Sequence, residues 1–415
     1  YEMVLEQARK TPQAVALLYK GDVMTYADLQ LRVNEIANQL KAYNIQRQSG
    51  VAIHLSYCPD MLALIFAVMK CGAFFILLDK NMPDNRLLQI CLDADIDLLV
   101  TDENLEGFGR QVPMEELDLH TVEGDSICIE EQGLPDLECP AYIVYTSGTT
   151  REPKGIVIQH KALSNYLDWA RNYYLNADFN CRMALFTSTS FDLTFTSLFL
   201  PLVSGGTLVI YDAHLDTECF HRVVEDGLVN MVKITPSHIQ LLTPSKKKTS
   251  IEKCILGGEA LNYQAVRMLR ACLGDDIDIY NEYGPAEATI GCMYYLCNSI
   301  TENSAAVPIG KPIQNIQIFL LDSRGNRVPY GVTGQIHIAG ESLFSGYLNQ
   351  PELTASVLQH RRNGSILYST GDYGQYTVEG VMEYAGRKDH QIKIRGHRVE
   401  LSEIEKTLED YDTVS

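Results

Sequence analysis

Between residues 26 and 100, helix-length segments alternate with short β-branched and apolar runs. This restricts the chain to parallel strands covered by helices. Residues 26–43 read as helix, 51–55 as strand, 61–69 as helix, 73–77 as strand, 85–94 as helix and 98–100 as strand. A second set of short strands is expected at 207–211, 231–234, 253–256 and 278–280. Ligands of such sheets gather at the carboxyl ends of the strands. From about residue 298 the texture changes. The segments 316–321, 334–339, 365–369 and 381–384 are short and turn-bounded, which suits a small barrel or a distorted sheet. The expected fold class is α/β with a β-rich part at the end.

At 415 residues the chain can bury a large core, and 46% hydrophobic with 21% charged residues is ordinary for a soluble globular protein. The formal charge of −19 repels nucleic acid and anionic membrane, so neither is expected as a partner. The apolar stretch 61–78 is broken by Lys70 and Gly72, and each half is too short to cross a bilayer. Eleven scattered cysteines, with Cys292 and Cys297 the nearest pair, read as reduced thiols of a cytoplasmic protein rather than a disulfide framework. The chain does not begin with methionine and is expected to be a piece of something longer; a monomer is expected. The basic run at 246–248 reads as a solvated loop.

The segment YIVYTSGTTREPKG at 142–155 joins two apolar β-type stretches through hydroxyls, glycines and one lysine. Hydroxyls and backbone N–H groups in such a loop can cradle phosphate oxygens, and Lys154 can add a mobile positive charge. It is not a Walker loop, because Gly-Lys-Ser/Thr is absent and the following stretch reads as a strand.

This loop resembles the phosphate loop of the adenylate-forming superfamily, and in particular that of nonribosomal peptide synthetase adenylation domains. Further motifs of that family follow in its order: MTYADL (24–29), VMKCGAFFILLD (68–79), FDLT (191–194), NEYGPAE (281–287), GQIHIAG (334–340) with SGYL (345–348), YSTGD (368–372) and GRKDHQIKIRGHRVELSEIE (386–405). The similarity covers essentially the whole chain. Arg151 stands where the family usually has glycine, and Ala286 where it usually has threonine near the phosphates. The resemblance implies a large core over residues 1–388. Two layered α/β subdomains are expected at about 1–180 and 181–297, and a small β-barrel-like subdomain at 298–388. Residues 389–415 would be the hinge and the start of a truncated C-terminal lid, leaving the chain weakly active.

The implied chemistry joins a carboxylate to the α-phosphate of ATP and expels pyrophosphate, which asks the protein mainly to position anions and neutralise charge. By resemblance Thr146, Ser147, Gly148, Thr149, Thr150 and Lys154 hold the phosphates, with Thr149, Thr150, Lys154 and Glu287 the catalytic set. Glu287 would ligate Mg²⁺. Asn281 would bond the adenine amino group, Tyr283 would stack on the ring, and Gly258, Glu259, Ala260 and Gly284 would line it. Asp372 would grip the ribose hydroxyls, with Tyr384 and Arg387 nearby. Asp389 and Lys393 fall in the family's hinge. The acyl group would pass to the phosphopantetheine thiol of a carrier domain, a partner alongside the neighbouring synthetase domains.

The family's substrate pocket maps onto Asp192, Leu193, Thr196, Lys233, Ile255, Gly257, Glu282, Ile290 and Gly291. Asp192 would hold an α-ammonium group, which argues against an acyl- or aryl-CoA synthetase. Lys233 and Glu282 are opposite charges where apolar lining is the norm. A primary carboxamide satisfies both, accepting from the lysine and donating to the glutamate. L-Asparagine is therefore the expected substrate. Aspartate would set a second carboxylate against Glu282, and glutamine carries one methylene too many, worth about 1–3 kcal/mol. Alternatives are an aspartate-activating domain, a structural ion pair, and a degenerate docking module suggested by Arg151 and Ala286.

Overall fold

The computed structural model describes residues 1–118, 136–146, 153–176, 178–211, 217–244, 249–297, 306–361 and 364–387, and the backbone of 391–394 and 397–400. The first alternating stretch builds a seven-stranded sheet in the order Gly346–Tyr347, Lys154–Gln159, Pro140–Thr146, Phe74–Leu77, Gly50–His54, Leu98–Thr101, Gln111–Val112. From Pro140–Thr146 to Gln111–Val112 the pairs are parallel, whereas Lys154–Gln159 and Gly346–Tyr347 add antiparallel at the other side. Every residue of Gly50–His54 is buried, as expected of a parallel strand covered on both faces. The helix Pro59–Lys70 starts on Cys58 with proline in its first turn and buries every residue from Met61 to Met69. It stops at Gly72, whose φ of 72° suits glycine. The apolar stretch 61–78 is thus a core helix and a central strand. No helix among the described residues is long and apolar enough to cross a membrane.

A nine-stranded sheet follows the order Lys311–Pro312, Met293–Leu296, Asp278–Tyr283, Lys253–Gly257, Met231–Ile234, Arg182–Leu185, Thr207–Ile210, Val15–Tyr19, Asp22–Thr25. Its membership departs from the sequence divisions at 180 and 298. The N-terminal hairpin pairs in parallel with Thr207–Ile210, and Lys311–Pro312 comes from the region expected to be a separate β-rich unit. Likewise Gly346–Tyr347 adds to the seven-stranded sheet. The hairpin itself closes through Lys20 and Gly21, both at positive φ (51° and 92°), the geometry that matches strand twist.

The third sheet has five antiparallel strands: Ile316–Leu321, Gly334–Gly340, Ile366–Tyr376 and Leu358–His360 in order, with Met382–Arg387 on Ile366–Tyr376. Ile366–Tyr376 runs well past the expected end at 369, because alternate burial continues through the Gly371–Asp372 pair and a register shift absorbs Gly374. The ten described cysteines are all free, and eight are buried.

The elements that carry the site are β1 (Pro140–Thr146), β2 (Lys154–Gln159), α1 (His160–Tyr174), α2 (Leu193–Val203), β3 (Met231–Ile234), β4 (Lys253–Gly257) and β5 (Asp278–Tyr283). The strands β3, β4 and β5 are parallel neighbours, so their carboxyl ends open on one edge.

Candidate active site

Register brings the pocket together. Lys233 lies beside Ile255, and Gly257 beside Glu282. The Lys233 ammonium is ion-paired with Glu282 Oε1, and both side chains are 1% exposed. The lysine also donates to Thr196 Oγ1 at 2.8 Å and to the Tyr166 hydroxyl at 3.3 Å, which uses its three protons. Glu282 Oε2 accepts from the Tyr174 hydroxyl at 2.6 Å and from Tyr166 at 3.1 Å. A β-carbon on Gly291 would lie 2.4 Å from Glu282 Cδ, so only glycine leaves room for that carboxylate. One on Gly257 would stand 3.5 Å from Leu193 and 4.0 Å from Lys233 Cε.

Asp192 precedes α2, and its Oδ2 accepts from the Ile290 backbone N–H at 3.2 Å. Thr289 and Ile290 both adopt positive φ (56° and 68°), costly for β-branched residues at about 1–3 kcal/mol each. The strain is held by that bond and by Thr289 Oγ1 donating to the Ser342 carbonyl at 2.7 Å. The turn delivers Gly291 against Glu282. It also fixes Gly284, where a β-carbon would meet Gly291 Cα at 2.7 Å. All nine residues expected in the pocket therefore lie in one connected patch.

Next to it, Asp372 collects three donors. Tyr283 donates to Oδ2 at 2.5 Å, while Arg387 at 2.9 Å and Tyr384 at 3.3 Å donate to Oδ1. Burial first, then the Asp372 charge, push the Tyr283 phenol well above its usual range, so it stays a donor. Asn281 donates to the Pro308 carbonyl at 2.8 Å. Gly258 sits at φ 83°, and Glu259 Oε2 ties down the Ser237 N–H at 2.9 Å and its hydroxyl at 2.5 Å. Ala260 is exposed.

Thr146 ends β1 directly across from Lys154 in β2. Its Oγ1 is buried with no hydrogen-bond partner among the described residues. Lys154 is buried. Glu287 is fully buried, and its Oε1 accepts from the Tyr347 hydroxyl at 2.8 Å. Ser147, Gly148, Thr149, Thr150, Arg151 and Asp389 lie outside the described residues. Lys393 falls in the short strand Gln391–Ile394, paired antiparallel opposite Arg398, where the backbone alone is described.

A family model for AMP-binding enzymes matches residues 4–348. The chain belongs to the AMP-binding enzyme family. Among its relatives, tyrocidine synthase 3 of Brevibacillus parabrevis is 36% identical over 421 residues, covering 100% of this chain and 6% of that protein. Bacitracin synthase 3 of Bacillus licheniformis is 36% identical over 409 residues, covering 97% of this chain and 6% of that protein. The chain thus spans a small part of the synthases it matches. By structure it is similar to the Klebsiella oxytoca NpsA–ThdA adenylation–PCP fusion, with a TM-score of 0.88 at 22% identity over 99% of this chain and 83% of that one. The NpsA N-terminal subdomain, solved in complex with 3-hydroxybenzoyl-AMSN, gives a TM-score of 0.80 at 20% identity over 93% and 99%. The resemblance to synthetase adenylation domains and the α/β fold class are both borne out, and ATP-dependent ligation is the chemistry of this family.

The residues of this AMP-binding enzyme fit its nucleotide and metal. Thr146 offers a buried hydroxyl, without a partner among the described residues, from which a phosphate oxygen would accept. Among the described residues no three His, Cys, Asp or Glu side chains cluster to cage a metal. A single buried carboxylate, Glu287, suits Mg²⁺ held otherwise by phosphate and water.

Sequence reasoning missed Tyr166 and Tyr174. In α1 the aromatics at 166, 169 and 173 repeat at helical spacing and read as core; the rings of Tyr166, Trp169 and Tyr174 are buried, and periodicity says nothing about the hydroxyl at the far end. It also missed Tyr347, whose SGYL motif carries no sign of its bond to Glu287.

Proposed function

We propose that this chain activates L-asparagine: the substrate carboxylate attacks the α-phosphorus of ATP, the bond to the bridging oxygen breaks, and asparaginyl adenylate and pyrophosphate form. The observation that carries this reading is the Lys233–Glu282 pair, buried at 1% exposure each within the patch of pocket residues. Removing either partner strands a buried charge, worth about 3–5 kcal/mol. A carboxamide inserted between them takes a lysine donor on its oxygen and gives an N–H to Glu282, so no charge is stranded and one hydrogen bond is gained. A carboxylate supplies no such donor.

In this reading Asp192 holds the α-ammonium, and Leu193, Ile255, Gly257, Ile290 and Gly291 shape the walls. Asp372 takes the ribose hydroxyls with Tyr384 and Arg387 in support, and Asn281, Tyr283 and the 258–260 backbone take the adenine. Thr146 and Lys154, with the hydroxyls of 147–150, receive the phosphates. Glu287 would hold Mg²⁺, which supplies neutralisation of phosphate charge. The product acyl group then passes to the phosphopantetheine thiol of a carrier domain, a reading supported by the similarity to the NpsA–ThdA fusion, an adenylation–PCP di-domain. We also infer a core over 1–388, a hinge at Asp389 and Lys393, and a cytoplasmic setting.

One observation favours a second reading. The ion pair is already saturated by Thr196, Tyr166 and Tyr174, as a purely structural pair would be. Glu282→His separates the two, because it replaces the acceptor with a donor. Preference should move from asparagine toward aspartate. Unchanged selectivity in a folded variant would favour the structural pair.

A further inference from the structure

The nine pocket positions leave out the helix that contacts the charge pair most closely. Both tyrosines of α1 reach Glu282: Tyr174 at 2.6 Å to Oε2, Tyr166 at 3.1 Å to Oε2 and 3.3 Å to Oε1. Their rings are fully buried and clamped. Trp169 packs on Tyr166 at 6.0 Å between centroids and on Tyr174 at 5.0 Å, and Tyr280 closes on Tyr174 at 4.9 Å. The Tyr174 hydroxyl makes no other hydrogen bond among the described residues.

We propose that Tyr166 and Tyr174 are positioning residues for side-chain selection: their hydroxyls hold Glu282 as an ionised acceptor facing Lys233, and so set the discrimination between a carboxamide and a carboxylate. This rests on the asparagine reading above.

The argument is one of exchange. A ligand amide enters by displacing the Lys233–Glu282 contact, and a buried carboxylate cut off from its cation would be left costly and mobile. The tyrosines bond chiefly Oε2, the oxygen that Lys233 does not use, so the carboxylate stays in place while Oε1 changes partner. A ligand carboxylate meets the same groups differently. It could relieve its repulsion with Glu282 by sharing a proton between the two carboxyls. Hydroxyl donors aimed at Glu282 oppose this, since hydrogen bonds to the charged form favour that form. Burial, and next the Glu282 charge, keep both phenols protonated far above neutral pH, so both remain donors.

The experiment is calorimetric titration of the 415-residue chain and of Tyr174→Phe and Tyr166→Phe with non-hydrolysable asparaginyl- and aspartyl-adenylate analogues, with AMP as the control. In the unmutated chain the asparaginyl analogue binds more tightly. Tyr174→Phe should shrink that ratio at least tenfold, mainly by tightening the aspartyl form, while AMP affinity changes less than twofold. A ratio unchanged within twofold in both variants overturns the proposal and leaves the asparagine reading standing. Equal affinities in the unmutated chain overturn both. Glu282→Gln distinguishes positioning from packing. If Tyr174 acts through the carboxylate, Tyr174→Phe has no further effect on the ratio in a Glu282→Gln background. An equal effect in both backgrounds also overturns the proposal.

Discussion

The Tyr283 hydroxyl donates to Asp372 Oδ2 at 2.5 Å, tying the end of β5 in the nine-stranded sheet to the strand Ile366–Tyr376 of the five-stranded sheet. Arg387 and Tyr384 complete the shell on Oδ1. The carboxylate proposed for the ribose is therefore also a joint between two sheets.

Asp372→Asn replaces an acceptor oxygen with a donor and removes the negative charge that faces Arg387. Unfolding free energy by urea denaturation should fall by about 1–3 kcal/mol, the cost of mismatching a buried hydrogen-bonding oxygen. AMP affinity should fall at least tenfold. Loss of stability with full AMP affinity would make Asp372 a structural joint only.

Gly291→Ala places a methyl 2.4 Å from Glu282 Cδ and 2.5 Å from Oε1. The carboxylate must turn away from Lys233, and overpacking of this kind costs about 1–3 kcal/mol. Preference for the asparaginyl over the aspartyl analogue should drop while AMP binding persists. Retention of the full preference would show that Glu282 can move without consequence.

Burial holds the His160 imidazole down to about 4, against a usual 6.5, and its Nε2 is buried without a partner among the described residues. The folded state thus takes up this proton later than the unfolded state. The stability contributed by the neutral ring is whole above pH 6.5 and is lost as pH falls toward 4. At about 1.4 kcal/mol per pH unit the loss across that window is roughly 3 kcal/mol. His160→Phe should flatten the difference in unfolding free energy between about pH 7 and about pH 4.5 by about 2 kcal/mol. Parallel curves for the two proteins would locate the acid sensitivity elsewhere.

The sequence carried the elements well where one physical signal dominated. Apolar runs cut by Lys70 and Gly72 had room only for a buried helix and a strand, and both formed. Sheet membership was not legible. The face of Val15–Tyr19 can be read from its residues, but its partner lies near residue 208, and nothing local encodes that pairing. At the site the same division holds. Lys233 and Glu282 stood out because charges are rare in pocket walls. Tyr166 and Tyr174 were hidden because an aromatic ring at helical spacing looks like core whether or not its hydroxyl serves a carboxylate. The positive φ of Thr289 and Ile290 was hidden for a related reason: β-branched residues give no local sign of a left-handed turn, and it takes Asp192 and Ser342, distant in sequence, to hold them there.

The central claim is that a buried lysine–glutamate pair reads a neutral carboxamide. Its most direct test is the ratio of dissociation constants of this chain for non-hydrolysable asparaginyl- and aspartyl-adenylate analogues. The account expects the asparaginyl form to bind at least tenfold more tightly, with Lys233→Ala weakening it and leaving AMP affinity intact. Equal binding, or tighter binding of the aspartyl form, would contradict it.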